Sequence, residues 1–137
     1  MAQIIHEVTY DAPISRVWDA LTDSEQLAAW LMPNDFSPEV GHTFTFRTKP
    51  APGFDGIVHC EVKEVIAPTR LVYSWAAGNL DTVVTWELEE RPGGQTRLRL
   101  THDGFRFFKD LFIRTMLTAG WTKKLLPESL RSVVERS

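Results

Sequence analysis

The sequence has few of the features that would hold a protein together, or anchor it, by anything other than a packed core. Cys60 is the single cysteine among 137 residues, so no intramolecular disulfide can form. No apolar run approaches the ~20 residues that span a bilayer, so membrane insertion by a transmembrane helix is not expected. The first residues, Met-Ala-Gln-Ile-Ile-His, lack the basic and apolar regions of a signal peptide. We therefore expect a cytoplasmic protein.

Local motifs for metal, nucleotide or nucleophile chemistry are also missing. The four histidines, His6, His42, His59 and His102, are far apart and form no HxxxH, HxH or HExxH pair, so we expect no metal site. The chain has no nucleophile elbow, phosphate-cradling glycine loop or dinucleotide fingerprint. No cofactor is predicted.

Charge is unevenly distributed along the chain, although the formal net charge is only -3. Residues 1 to 105 carry 8 basic and 15 acidic side chains, whereas residues 106 to 137 carry 7 basic and 3 acidic ones. The basic residues are scattered and form no contiguous stripe with aromatic residues, so the pattern does not favour nucleic-acid binding. A solvated basic face on an acidic body is the simpler interpretation.

What the chain does have is enough apolar material for one core. Hydrophobic residues make up 43% of the sequence and five of them are tryptophans, a composition typical of an ordinary globular protein. At this length roughly two thirds of the unfolded surface can be buried. We found no linker or internal repeat, and predict a single domain over residues 1–137.

Apolar spacing predicts a strand and two short helices at the N-terminus. Residues 3 to 10 are rich in Ile, Val, Thr and Tyr, and Pro13 then favours the start of a helix. Apolar residues at 14, 17, 18 and 21 form one stripe of that helix. Thr22-Asp23-Ser24 supplies capping oxygens for a second helix, which carries Leu27, Trp30 and Leu31 and ends at Pro33.

The middle of the chain alternates apolar and polar residues with the period of β-strands. Turn-rich breaks at 49–53, 67–69, 77–79 and 92–94 indicate antiparallel hairpins. The apolar members of the alternation are Phe44, Phe46, Val58, Cys60, Val62, Leu71, Tyr73, Trp75, Val84, Trp86, Leu88, Leu98 and Leu100, and His102 shares their phase. We predict a meander with the aromatic rings on one face.

A long helix is predicted from Phe107 onward. One stripe includes Phe108, Phe112, Met116 and Ala119, continues through Leu126, Leu130, Val133 and Val134, and is expected to face the sheet. A second stripe, Ile113, Leu117 and Trp121, is rotated away and is expected to cover the short helices or to contact another subunit. Pro127 predicts a kink or break near residues 125–126, since proline removes an intrahelical hydrogen bond.

The fold class is therefore α+β, and five segments in order resemble a known family. They are residues 11–18 (DAPISRVW), 27–30 (LAAW), 67–75 (APTRLVYSW), 100–105 (LTHDGF) and 119–121 (AGW). Together they resemble the activator-of-heat-shock-ATPase homologues of the START-like, or SRPBCC, superfamily. That resemblance implies a helix-grip fold, in which a curved antiparallel sheet of six to seven strands wraps around a long C-terminal helix.

The same resemblance implies a cavity between sheet and helix. Together with the aromatic inner face of the sheet, it predicts the non-catalytic binding of a small hydrophobic or aromatic molecule. Large rings from the sheet and the helices are expected either to border this space or to fill it. Tyr73 and the indole nitrogens would orient such a ligand. The candidate ligand-binding residues are Trp30, Met32, Phe44, Phe46, Tyr73, Trp75, Trp86, His102, Phe112 and Met116.

Two other functional hypotheses stay open at this point. The first is a co-chaperone-like interaction module or a homodimer, acting through Ile113, Leu117, Trp121 and the basic helix. The second is a cyclase- or hydrolase-like enzyme that uses His102 as acid or base. Against the second, His102 is expected to hydrogen-bond the following turn at Asp103 and Gly104.

Overall fold

We describe the fold from a computed structural model, which covers residues 2–50, 52, 54–107 and 109–135. Phe108, which the predicted helical stripe includes, lies outside the described residues. Within them, two short helices follow the first strand, five further strands come next, and a long helix ends the chain. The element order confirms the predicted α+β class.

One six-stranded antiparallel sheet forms the body of the described chain. Its strands lie in the order β1-β6-β5-β4-β3-β2, so that consecutive strands from β2 to β6 are neighbours and β1 returns beside β6. This confirms the predicted meander. The strands are β1 (Ala2–Tyr10), β2 (Thr43–Arg47), β3 (Ile57–Ile66), β4 (Arg70–Ala77), β5 (Leu80–Arg91) and β6 (Gln95–Phe105).

The two N-terminal helices abut each other at Asp23. Helix α1 spans Ile14–Thr22 and helix α2 spans Ser24–Trp30. The Asp23 carboxylate accepts a hydrogen bond from the backbone N–H of Gln26 at 3.3 Å, which caps α2 by satisfying one of its free N–H groups. Leu27 and Trp30 are the buried residues of α2, so its apolar face is the one that the sequence predicted.

The terminal helix is continuous but changes its hydrogen-bonding pattern. Helix α3 (Leu111–Ala119) leads into a π-helical segment (Gly120–Leu130), which leads into α4 (Arg131–Val134). Pro127 lies inside the π-helical segment. Of the two alternatives predicted at residues 125–126, a kink or a break, the break does not occur: the chain accommodates the missing N–H in a wider helical turn instead of ending the helix.

The C-terminal part of this helix is fastened to strand β1 by polar contacts. The hydroxyl of Tyr10 donates to the carbonyl oxygen of Leu126 at 2.7 Å, and the guanidinium of Arg131 lies 5.1 Å from the Tyr10 ring centroid. Arg131 also pairs with Glu135 at 2.6 Å. One apolar cluster joins the inner face of the sheet, the short helices and this part of the terminal helix, which is the helix-grip arrangement that the resemblance implied.

Strand β3 bends where the alternation of its sequence fails. Its register with β4 shifts between Val62 and Glu64, so the Glu64 carboxylate turns outward and accepts a hydrogen bond from Arg70 Nε at 2.7 Å. A bulge of this kind places one extra residue in a strand and bends it. Glu64 is half-exposed and does not belong to the interior.

Candidate functional site

Six of the predicted ligand-binding residues meet in the space between sheet and helix. Trp30, Phe44, Phe46, Tyr73, Trp75 and Trp86 are each between 0% and 3% exposed. Their rings contact one another mostly edge to face, with centroids 5.3 Å apart for Phe44 and Tyr73 and 6.0 Å apart for Trp30 and Trp86. Such contacts are favourable geometries for aromatic pairs, so these rings pack against one another between the sheet and the helix.

Three polar atoms of these rings form hydrogen bonds inside the protein. Trp86 Nε1 donates to the hydroxyl oxygen of Tyr73 at 2.9 Å, and Trp30 Nε1 donates to the carbonyl oxygen of Ala20 at 2.8 Å. Burial raises the pKa of Tyr73, with the hydrogen bond from Trp86 opposing part of that shift. The indole nitrogens of Trp30 and Trp86 and the hydroxyl oxygen of Tyr73, which were expected to orient a ligand, therefore have partners within the protein.

His102 belongs to a buried chain of hydrogen bonds and not to the turn that follows it. Its Nδ1 accepts from Trp121 Nε1 at 3.3 Å, so the ring proton lies on Nε2, which donates to Thr82 Oγ1 at 2.7 Å. Thr82 Oγ1 then donates to the carbonyl oxygen of Trp75 at 3.0 Å. The predicted bond to the turn at residues 103–104 is wrong because both ring nitrogens point to other partners.

The charge state of His102 follows from the same arrangement. The residue is 0% exposed, and burial lowers the pKa of its imidazole to about 3. A neutral ring with both nitrogens engaged has no free site for a proton transfer to an external molecule. The geometry gives the cyclase- or hydrolase-like hypothesis no support, and His102 is a structural link between the sheet and the terminal helix.

Phe112 and Met116 lie on the opposite side of the helix from the one that the sequence predicted. They are 78% and 54% exposed, respectively, whereas Ile113 and Leu117 are half-buried and pack against the core. Trp121 is 1% exposed and contacts the rings of Trp75 and Trp86. Ile113, Leu117 and Trp121, which were predicted to cover the short helices or to contact another subunit, therefore face the core. Of the stripe predicted to face the sheet, Phe112 and Met116 face solvent, whereas Leu126, Leu130 and Val134 are buried as predicted.

The reversal exposes a group of large apolar side chains at the start of the terminal helix. We call Phe107, Leu111, Phe112 and Met116 the α3 patch; their exposed fractions are 62%, 47%, 78% and 54%. Met32, another predicted ligand-binding residue, is half-buried at the edge of the core. None of the residues of α3 is fully buried, so this helix contributes little to the core.

Basic side chains border the α3 patch. Lys109 is exposed and Arg114 is half-exposed, with its guanidinium 5.9 Å from the Phe107 ring centroid. The acidic residue nearest in sequence, Asp110, is tied to Arg106 at 2.9 Å, and this partner lowers the pKa of its carboxyl. The patch is thus apolar at its centre and positive at its border.

Cys60 and the remaining histidines do not form a reactive site in the described residues. Cys60 is 4% exposed, and burial raises the pKa of its thiol to about 12, so the reactive thiolate is scarce at neutral pH. His59 next to it points to the opposite, exposed face. In the part of the chain that the structure describes, no three His, Cys, Asp or Glu side chains come close enough to hold a metal ion.

Open depressions lie on the surface of the residues that the structure describes. One of about 460 Å³ lies over β2, β3 and β4, and one of about 380 Å³ lies on the charged outer face around Arg70 and Arg97. A third, of about 430 Å³, runs between β1 and the terminal helix. None of the helices in the described residues combines the length and hydropathy needed to cross a bilayer.

The sequence profile of the family described as "Activator of Hsp90 ATPase homolog 1-like protein" matches residues 11–135. The chain belongs to this family. Among curated proteins, none matches the sequence significantly. The family and the fold support a ligand-binding or Hsp90-activator-like module.

Solved structures of similar chains agree with this assignment over nearly the full length. Protein MLL2253 from Mesorhizobium loti is 30% identical, with 99% of this chain and 98% of that one covered and a TM-score of 0.89. Protein BH1534 from Bacillus halodurans is also 30% identical, with 98% and 97% covered and a TM-score of 0.80. The Aha1 dimer from Colwellia psychrerythraea is 25% identical, with 99% and 98% covered and a TM-score of 0.81.

The sequence pattern did not predict Thr82 and Phe36 in the interior, or Leu111 in the α3 patch. Thr82 shares the inward phase of Val84 and Trp86 in β5, so the strand period alone could have located it. The ring of Phe36 contacts that of Phe44 edge to face, with centroids 5.0 Å apart. Phe36 lies in an irregular segment, which has no helical or strand period from which its burial could be predicted. Leu111 has the helical spacing, but its exposure depends on the rotation of α3, which the sequence pattern assigned wrongly.

Proposed function

We propose that this member of the Hsp90-activator homologue family is a non-catalytic protein-interaction module that binds its partner through the α3 patch. The observation that carries the proposal is the exposure of four large apolar side chains within about three helical turns. Side chains of this size expose on the order of 450 Å² together, which is in the range of functional patches on monomers. Such an area in water is unfavourable unless a partner covers it.

The interior of the protein supports the same proposal. The rings that would hold a ligand contact one another, and His102 has no free nitrogen. The α3 patch, in contrast, contains apolar area that the core does not use, because α3 has no fully buried residue. Enrichment in Phe and Met is also typical of protein interfaces.

The family description makes an Hsp90 chaperone the first partner to test. We expect the chain to bind the chaperone in calorimetry and to raise its rate of ATP hydrolysis. The double variant Phe112→Ser/Met116→Ser should weaken both effects at least tenfold, since central apolar anchors dominate interface energy. Val83→Ser is the matched control, because Val83 is 40% exposed on β5, outside the patch.

Two outcomes would contradict this proposal. The first is a chain that neither binds the chaperone nor changes its ATP hydrolysis. The second is a double variant that performs as well as Val83→Ser, since the patch would then be irrelevant to any binding that occurs. Circular dichroism of each variant confirms that the fold is retained.

A second copy of the chain is the other protein that the α3 patch can bind. The relative from Colwellia psychrerythraea is a dimer, which favours self-association here as well. Light scattering at increasing protein concentration should show a dimer that the double variant loses and Val83→Ser keeps. A strictly monomeric wild-type chain at millimolar concentration would exclude this assembly.

A small hydrophobic molecule is a second candidate ligand, and one observation favours it. Ile113 and Leu117, which pack over the ring cluster, are only half-buried, so α3 can move away from the rings at a small cost in buried area. NMR titration with a library of lipids and polyphenols would then shift the indole N–H resonances of Trp30, Trp75 and Trp86 saturably. Unchanged indole resonances across the library would exclude a small hydrophobic molecule as the ligand.

A further inference from the structure

The start of the terminal helix is held by polar contacts more than by burial. Helix α3 (Leu111–Ala119) has no fully buried residue, and Ile113 is the first of its side chains to pack against the core. Asp110, which directly precedes α3, is nevertheless only 4% exposed. A carboxylate withdrawn from water to this extent is costly unless hydrogen bonds and an opposite charge compensate it. The partners of Asp110 therefore decide how the helix begins.

Arg106 provides those partners with both its backbone and its side chain. The backbone N–H of Arg106 donates to Oδ2 of Asp110 at 2.7 Å, and Nε donates to the same oxygen at 3.1 Å. Nη2 donates to Oδ1 at 2.9 Å, so the guanidinium contacts both carboxylate oxygens. In return, the backbone N–H of Asp110 donates to the carbonyl oxygen of Arg106 at 3.0 Å. Together these hydrogen bonds close the chain between Arg106 and Asp110 into a turn.

The same guanidinium joins this turn to the sheet. Nη2 of Arg106 also donates to the carbonyl oxygen of Asn79 at 3.2 Å, and Asn79 lies in the turn between β4 and β5. Arg106 itself directly follows Phe105, the last residue of β6. One side chain therefore connects the end of β6, the β4–β5 turn and the first residues of the terminal helix.

Two members of the α3 patch, Phe107 and Leu111, directly follow the two paired residues in the sequence. Arg114, whose backbone N–H donates to the carbonyl oxygen of Asp110 at 2.8 Å, places its guanidinium 5.9 Å from the Phe107 ring centroid. The other two members of the patch lie further along α3. The direction in which the helix leaves the turn therefore sets their positions, because a helix is a regular element.

An ion pair on a protein surface usually contributes little, because water screens it and two flexible side chains must be ordered. The pair of Arg106 and Asp110 differs, since the Asp110 side chain is only 6% exposed, against 47% for that of Arg106. Removing one partner of a buried pair leaves the other charge withdrawn from water without compensation. We expect the turn to open in response, so that the start of α3 loses its fixed position.

We propose that Arg106 and Asp110 are the positioning residues of the α3 patch. Their pair fixes the turn before α3, so that the four apolar side chains form one continuous surface for the partner. Both residues act through the turn and need no contact with the partner. The effect on binding rests on the proposed function of the patch, whereas the effect on the order of α3 does not.

Amide hydrogen exchange measures the order of α3 directly. Asp110→Asn replaces one carboxylate oxygen by an NH2 group, which cannot accept from the guanidinium. Arg106→Gln removes the guanidinium from a half-exposed side chain, so it leaves the core intact. We expect both variants to exchange the amides of Thr115 and Met116 at least tenfold faster than wild type, whereas the amide of Leu100 in β6 stays protected.

Glu89→Gln is the matched control, because it breaks an ion pair far from the turn. Glu89 pairs with Arg97 at 2.7 Å on the outer face of the sheet. Exchange in α3 of this control should match that of wild type. In calorimetry with the Hsp90 chaperone, Asp110→Asn and Arg106→Gln should bind at least tenfold more weakly than Glu89→Gln, although all four side chains of the patch are unchanged.

Exchange rates in α3 that match those of Glu89→Gln in either variant would overturn this inference. Faster exchange combined with chaperone binding as tight as that of the control would overturn it as well, since the turn would then not position the patch. A wild-type chain that does not bind the chaperone contradicts the proposed function instead, and the exchange rates of Asp110→Asn and Arg106→Gln then decide this inference alone.

Discussion

The two halves of the terminal helix differ in how deeply their apolar side chains are buried. From Trp121 onward, Trp121, Leu126, Leu130 and Val134 are at most 1% exposed. In α3, one turn earlier, no residue is fully buried, and Phe112 is 78% exposed. Both halves are rich in apolar residues, so composition does not explain the difference.

Contacts to the rest of the chain explain it. The C-terminal half is held by Tyr10, which donates to the Leu126 carbonyl, and by Trp121, which donates to His102. The N-terminal half has only half-buried contacts through Ile113 and Leu117. Stability is therefore concentrated in the C-terminal half, whereas the N-terminal half is left available for binding.

The largest expected effect comes from replacing one aromatic side chain in each half of the terminal helix by Ala. Trp121→Ala removes contacts with Trp75 and Trp86 and the hydrogen bond to His102, and should lower the free energy of unfolding by about 3–5 kcal/mol. Phe112→Ala, in the exposed half, should change it by less than about 0.5 kcal/mol. Urea denaturation of both variants measures the difference. Similar losses in the two variants would contradict the contrast.

Lowering the pH should decrease the free energy of unfolding through His102, which bonds to Trp121 in the buried half of the terminal helix. Its folded pKa of about 3 is below the value near 6.5 of the unfolded chain, so the unfolded state binds the proton first. Stability is complete above about pH 6.5 and falls as the pH drops toward 3. Between pH 7.5 and 4.5 this group should cost about 2–3 kcal/mol.

A neutral substitute isolates this contribution from that of other titrating groups. The amide of His102→Gln offers one acceptor and one donor in place of the two ring nitrogens. Its free energy of unfolding should therefore fall less than that of wild type over the same pH range, whatever its absolute value at pH 7.5. Parallel pH profiles for the two proteins would show that His102 is not the group responsible.

A smaller effect is expected from the hydrogen bond that joins β1 to the terminal helix. Tyr10→Phe keeps the ring under Arg131 and removes only the hydroxyl that donates to Leu126. Loss of this buried hydrogen bond should cost about 1–2 kcal/mol. Thermal denaturation of the variant measures it, and an unchanged midpoint would mean that the carbonyl finds another donor.

The sequence predicted the sheet well because its strands obey one local rule. Alternation placed Phe44, Phe46, Tyr73, Trp75 and Trp86 on one face, and the structure buries all five. The turn-rich breaks reset the phase between strands, so an error in one strand is not carried into the next. His102 was assigned to the inner face by the same rule, but its partners Thr82 and Trp121 depend on tertiary packing.

The prediction was wrong for the N-terminal half of the terminal helix and right for Leu126, Leu130 and Val134, because it extends a constant helical period across the whole helix. The buried stripe runs through residues 113, 117, 121, 126, 130 and 134, with one step of five residues between Trp121 and Leu126. That step lies in the π-helical segment, which adds a residue per turn. Extending the pattern backward from Leu126 without it selects Phe112 and Met116 in place of Ile113 and Leu117.

The smallest expected difference in the free energy of unfolding is between Ala variants of Ile113 and Met116. It tests which stripe of α3 faces the core. Ile113→Ala removes a half-buried side chain that packs on the core and should cost about 0.5–1.5 kcal/mol, since only part of its area is withdrawn from water. Met116→Ala removes a side chain that is 54% exposed and should change the free energy of unfolding by less than about 0.5 kcal/mol. Ile and Met each differ from Ala in helix propensity by only a few tenths of a kcal/mol, on the order of 0.5 kcal/mol at most, and both positions lie within one helix. If Met116→Ala were the more destabilising variant, α3 would be rotated as the uninterrupted helical period predicts, and the α3 patch would not be a surface.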